Sequence, residues 1–142
     1  MKINTILATK GMRVVTIRPQ QSLKEAVNLL AQYNIGALVV VNDSGAPVGI
    51  ISERDIVREA VHSENVFNLP VSAVMTEELV TGSPQDDLRS VLQTMTDRHF
   101  RHLPILDQGK LAGMISIGDV VKAQISAYQG EIETLETRVT QG

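Results

Sequence analysis

Gly49-x-x-Ser52-x-x-Asp55 and Gly113-x-x-Ser116-x-x-Asp119 each place a hydroxyl behind a glycine and an apolar pair, with a carboxylate three residues on. A carboxylate can accept hydrogen bonds from both neighbouring hydroxyls of a ribose. A helix opening at the same serine would add orphan N–H groups and positive partial charge, which suit phosphate. The residues also have a plainer use, with Ser52 and Ser116 as N-caps and Asp55 and Asp119 in the first turn. One copy alone reads as a cap. Two copies in register read as paired ligand sites.

A second cluster is Arg98-His99-Phe100-Arg101-His102-Leu103-Pro104. Basic groups at the start of a buried strand are costly unless they face solvent or an anion. Arg101 can present a bidentate fork to phosphate, and His102 a further donor. A solvated strand entrance is the alternative. A metal site at His99 and His102 is disfavoured, because the chain holds only 3 His and no Cys.

These groups sit on a unit that occurs twice, about 65 positions apart. Thr16-Ile17-Arg18-Pro19 answers Thr81-Gly82-Ser83-Pro84, and Leu38-Val39-Val40-Val41 answers Leu103-Pro104-Ile105-Leu106. The lead-ins match as well, Ile3, Ile6 and Leu7 against Val71, Val74 and Met75. In the first copy Arg13–Ile17 reads as a strand closed by Pro19. Ser22 and Glu25 then form a capping box for a helix to about Tyr33. The run 37–41 is too continuously apolar for a half-exposed strand and reads as buried. A returning strand over 47–51 and a helix from Ser52 to about Val61 complete the unit, and 62–69 is the linker. The second copy repeats the order, its first helix running from Pro84 to about Arg98. The expectation is an α/β fold of two β-α-β-β-α repeats about a pseudo-two-fold axis. Repeat 1 occupies 1–65 and repeat 2 occupies 66–125, with a helical tail over 126–142.

The bulk composition narrows the function. Aromatics are 3% with no Trp, and the formal charge is −3, which disfavours a nucleic-acid binder. The absence of Cys removes disulfides and thiolate catalysis. No apolar run approaches the roughly twenty residues that span a bilayer. Met1–Thr5 lacks the apolar stretch of a secretory signal, so a cytoplasmic location is expected.

The doubled Gly-x-x-Ser-x-x-Asp, the Arg101-His102-Leu103-Pro104 run and the paired architecture resemble the cystathionine-β-synthase (CBS) domain, here as a free-standing tandem pair or Bateman module. The resemblance covers essentially residues 1–125. It implies two adenosine-nucleotide sites between the repeats and no required cofactor. Asp55 and Asp119 would hold ribose hydroxyls, with Ser52 and Ser116 beside ribose or phosphate. Thr81 would join Asp55, and Thr16 would join Asp119. Ile51 and Ile115 would flank the adenine, with Val39 and Pro104 as walls. Arg101 and His102 would face phosphates in the Asp55 site. The first copy has Gly36-Ala37 in place of that basic pair, so the Asp119 site is the poorer, with Arg54 or Arg58 to compensate. AMP, ADP, ATP, NAD or S-adenosylmethionine would be the ligand, with a separate protein as the regulated target.

In the tail, Val121, Ile125, Tyr128, Ile132, Leu135 and Val139 alternate four and three apart, the spacing of a helix–helix seam. The alternative is a helix folded back on its own domain. CBS pairs commonly dimerise, so a homodimer is expected. The competing functions are a ligand-free dimeric interaction scaffold and a nucleotide-consuming enzyme. No nucleophile–base pair supports the enzyme.

Overall fold

A computed structural model describes residues 1–11 and 14–141, with side chains as far as residue 139. The chain runs α1 (Ile3–Lys10), β1 (Thr16–Ile17), α2 (Leu23–Tyr33), β2 (Ala37–Val41), β3 (Pro47–Ser52) and α3 (Glu53–His62). Two 3₁₀ turns follow, Val66–Asn68 and Val71–Ala73, then α4 (Leu88–Arg98), β4 (His102–Asp107), β5 (Lys110–Ser116) and α5 (Ile117–Gln141). The fold is the expected pair of α/β repeats with a C-terminal helix, and the first 3₁₀ turn lies within the expected linker.

β1 pairs parallel with β2, and β2 antiparallel with β3. β4 pairs antiparallel with β5. The expected first strand of the second copy is cut to one parallel bridge, Gly82 to Ile105. Gly82 stands where the first copy has Ile17, which is buried in the first core. A Cβ on Gly82 would lie 2.8 Å from Leu103 Cδ2, so neighbouring side chains fill that volume. β1 itself is shorter than the expected strand, and Arg13 lies outside the described residues.

Helix ends repeat faithfully. α2 opens at Ser22, whose hydroxyl accepts from the Glu25 amide, but the box stays half made. Glu25 Oε2 instead accepts from Gln21 Nε2 at 2.8 Å. α4 starts later than Pro84 because Asp87 caps it, accepting from the Arg89 and Ser90 amides. Asn34 and His99 end the two helices in the left-handed region, at φ 51 and 58. Small polar and imidazole side chains tolerate that region better than most.

All five residues of β2 are buried, as the continuous run implied. Leu38 and Val40 join Leu23, Ala26, Leu30, Ile51 and Ile56 in one aliphatic core. Leu103 and Ile105 join Leu88, Val91, Met95, Ile115 and Val120 in another. The lead-ins are exchanged between these cores. Ile3, Ile6 and Leu7 of α1 pack in the second core, whereas Val71, Val74 and Met75 pack in the first.

The same backbone staple holds each crossing. Val71 N donates to Gln21 O, Ser72 N to Pro19 O and Leu23 N to Leu69 O, at 2.8, 2.9 and 2.9 Å. Ile3 N donates to Asp86 O, Asn4 N to Pro84 O and Leu88 N to Met1 O, at 2.9, 2.8 and 2.9 Å. Glycines make room for the crossing side chains. A Cβ on Gly49 would come within 2.8 Å of Met75 Sδ, and one on Gly113 within 2.5 Å of Leu7 Cδ2.

Candidate functional site

Both Ser-x-x-Asp motifs form complete capping boxes, so the plainer use is real. Ser52 N donates to Asp55 Oδ2 at 3.0 Å, and Asp55 N donates to Ser52 Oγ at 3.2 Å. Ser116 N donates to Asp119 Oδ2 at 2.8 Å, and Asp119 N donates to Ser116 Oγ at 3.1 Å. The cap fixes one carboxylate oxygen and orients the other. Capping and ligand binding are therefore compatible.

Asp55 opens onto a cleft of about 470 Å³. Ser52, Asp55, Arg101, His102 and Pro104 line it together, uniting expected residues from both repeats. The segment after the second 3₁₀ turn adds to this lining. Thr76 N donates to Ile50 O at 2.9 Å and Ile50 N to Thr76 O at 3.0 Å, which brings Thr76, Glu78 and Val80 to the cleft. Four arginines, Arg54, Arg58, Arg98 and Arg101, line the cleft together with three carboxylates, Glu53, Asp55 and Glu78. With His99 and His102 beside them, the lining suits an anion that also carries hydroxyls.

Several expected residues are placed elsewhere. Thr81 lines a separate recess of about 390 Å³ with Asp86, Asp87 and Ser90, away from Asp55. Thr76, not Thr81, is among the residues that line the Asp55 cleft. Ile51 and Ile115 are fully buried in the two cores. Strand alternation turns their neighbours outward, and Ile50 lines the cleft. Val39 is fully buried mid-sheet, paired with Ile50 and Thr16. Thr16 is exposed on the edge strand β1, where it pairs with Val39 of β2. Arg54 and Arg58 line the Asp55 cleft rather than compensating at Asp119.

The Asp119 side has a cation of its own, which sequence reasoning missed. Lys10 Nζ lies 2.6 Å from Asp119 Oδ2 and donates to Met114 O at 2.8 Å. Burial pushes the Asp119 carboxyl up, but Lys10 and the Ser116 hydrogen bonds outweigh it and hold the group below its ordinary value. Lys10 and Glu78 stand at matching places, each seven residues after the start of its lead-in match, Ile3 and Val71. The repeat alignment was the signal that could have found both.

His102 stands between the two sides. Burial lowers its pKa, with Glu53 and Asp119 opposing and Lys10 and Arg101 assisting that shift. Its Nε2 would lie 3.1 Å from a Cβ placed on Gly36, so the glycine leaves space for the imidazole. Among the described residues, no group of three or more His, Asp or Glu could hold a metal ion. No helix among them is long and apolar enough to cross a membrane.

The family model for the CBS domain matches this chain twice, over residues 7–62 and 71–126. The chain belongs to the CBS domain family. CBS domain-containing protein YhcV of Bacillus subtilis is 36% identical over 124 residues, covering 87% of this chain and 88% of that protein. The crystal structure of the CBS-domain protein ATU1752 from Agrobacterium tumefaciens aligns with a TM-score of 0.85 at 38% identity, covering 87% of this chain and 99% of that one. The CBS domain pair of protein MJ0100, solved with 5′-methylthioadenosine and S-adenosyl-L-methionine, shares the fold at a TM-score of 0.79. Its identity is 21%, over 89% of this chain and 98% of that one.

Proposed function

We propose that this CBS pair is a regulatory adenine-nucleotide-binding module whose working site is the cleft at Asp55. The observation that carries this reading is the joining of a helix-capping carboxylate and four arginines in one inter-repeat cleft. Asp55 takes the ribose hydroxyls, with Ser52 at the helix start beside it. Arg101 and Arg98 take the phosphates, and Ile50, Val80 and Pro104 supply apolar walls for the base. MJ0100 supports the adenosine part, being a CBS pair solved with two adenosine derivatives. The excess of arginine favours AMP, ADP, ATP or NAD over the sulfonium cation of S-adenosylmethionine. Asp119 is already engaged by Lys10, so its side is the weaker site. The module acts in the cytoplasm as a homodimer on a separate protein, without catalysing a reaction. A ligand can shift its state only through different affinities for two conformations.

Isothermal calorimetry of the nucleotide-stripped full chain with AMP, ADP, ATP, NAD and S-adenosylmethionine tests the reading. Saturable binding near one ligand per chain is expected, with S-adenosylmethionine weakest. Asp55→Ala and Arg101→Ala should each weaken binding by roughly tenfold or more, from charged hydrogen bonds of about 1.5–3 kcal/mol. Arg101→Ala touches no cap, so its effect cannot be attributed to lost helix stability. Asp119→Ala should change affinity little. No heat and no thermal shift with any of the five would leave the ligand-free scaffold.

A further inference from the structure

Val57 and Val61 on α3 are 65% and 79% exposed, and Val121 and Ile125, at the same repeat positions on α5, are 42% and 51% exposed. Beyond Ile125 the stripe has no counterpart in the first repeat. Tyr128, Ile132, Leu135 and Val139 continue it, each between 48% and 80% exposed. Every residue from 128 to 139 is exposed, so the last half of α5 leaves the globular body. A helical segment of that length is marginal in water unless something covers it.

The spacing says what covers it. A stripe alternating four and three residues apart is a narrow seam that fits one partner helix. A membrane-lying helix carries a broader apolar face with a basic polar side. Here the polar side holds Glu131, Glu133 and Glu136. We propose that the seam is covered by α5 of a second copy, running antiparallel. This rests on the homodimer reading above and is independent of the ligand.

The flanking charges decide the direction. In a parallel pair, Glu131 would face Glu136 of the second copy on both sides of the seam, with no attractive pair to offset it. An antiparallel pair centred at Gly130 sets Ile125 opposite Leu135, Tyr128 opposite Ile132 and Val121 opposite Val139. Every apolar residue then has an apolar partner. Lys122 faces Glu136 twice and Gln124 faces Arg138 twice, against a single meeting of the two Glu131 side chains. Attraction outnumbers repulsion only in this direction.

The chain has no Cys, so engineered cysteines report alone. Ile125→Cys/Leu135→Cys should form interchain disulfides under mild oxidation. The two positions lie about 15 Å apart along one helix, too far to close within a chain. Ile125→Cys alone should form none. Sedimentation equilibrium should show Glu136→Lys weakening the dimer by roughly three- to tenfold, from two exposed ion pairs turned repulsive. Lys122→Glu/Glu136→Lys should recover it. A disulfide in Ile125→Cys alone, or a dimer tightened by Glu136→Lys, would establish the parallel arrangement and overturn the proposal. A dimer that cross-links in neither variant overturns the seam while sparing the dimer. A chain that is monomeric throughout overturns both.

Discussion

The Asp55 and Asp119 sides carry the same seven-residue motif and the same capping box, yet they are different sites. At Asp55 the capped carboxylate opens onto a cleft lined by four arginines, with Glu78 also in the lining. At Asp119 the matching residue, Lys10, reaches the carboxylate itself. The motif fixes where a carboxylate points. What meets it is decided by a lead-in from elsewhere in the chain, and by whether Gly36-Ala37 or Arg101-His102 opens the neighbouring strand. A repeated motif is therefore evidence of repeated geometry and not of repeated affinity.

The contrast can be broken most forcefully through the glycines that admit the lead-ins. Gly49→Ala would set its Cβ 2.8 Å from Met75 Sδ and 3.0 Å from the Thr76 carbonyl, which is backbone and part of the cleft wall. Overpacking of this kind costs about 1–3 kcal/mol. Urea unfolding should show that loss, and calorimetry a weakened ligand as Thr76 is displaced from Ile50. Gly113→Ala meets only the Leu7 side chain, at 2.5 Å. It should destabilise the chain while leaving nucleotide affinity nearly unchanged. Equal loss of affinity in both variants would mean that the two sides are not independent.

Removing the lysine sharpens the contrast next. Lys10→Ala should cost at most about 1 kcal/mol at neutral pH, since the pair is partly exposed. The Asp119 pKa is held low in the folded chain, so the pair's stabilisation is present above the ordinary carboxylate pKa. It is lost as pH falls through the lowered value. The deficit of Lys10→Ala should therefore shrink in acid. The same variant should raise binding stoichiometry toward two per chain, because the second carboxylate is released.

His102 gives the smallest effect. Its folded pKa lies below the usual 6.5, so burial favours the neutral ring. Stability tied to it is complete above that pH and declines as pH falls toward the lowered value. Thermal melts of the native chain between about pH 7 and 5 should show this decline, and His102→Gln should flatten it.

Much of this was legible in the residues. Two β-α-β-β-α units and both caps at the Ser-x-x-Asp motifs follow from repeats and local chemistry, whereas the meeting of Asp55 with Arg101 in one cleft was implied by the family resemblance. Ile51, which the resemblance set beside the adenine, is buried in the first core, and its neighbour Ile50 lines the cleft. Both are aliphatic, the strand faces protein on either side, and a period of two cannot say which face is the cleft. Thr81 stands at the first-strand place that the resemblance gives to the Asp55 site, whereas the Thr76–Ile50 bridge joins segments that no nearby residue pairs. The lead-in match of Ile3 with Val71 was visible, but not that each serves the other's core. The Lys10–Asp119 pair, 109 residues apart, depends on that exchange.

The exchange also constrains the order of events during synthesis. Met1 to Lys10 leave the ribosome well before their partners at Pro84, Asp86 and Leu88, which are made last among the staple residues. The first repeat, for its part, is not finished until Val71 has been translated. The N-terminal helix must therefore wait, unpacked, while most of the chain is assembled, and closing so long a loop slows folding. Cutting the gene at the repeat boundary would give two fragments, each carrying the piece the other lacks. They should recover a fold only when mixed.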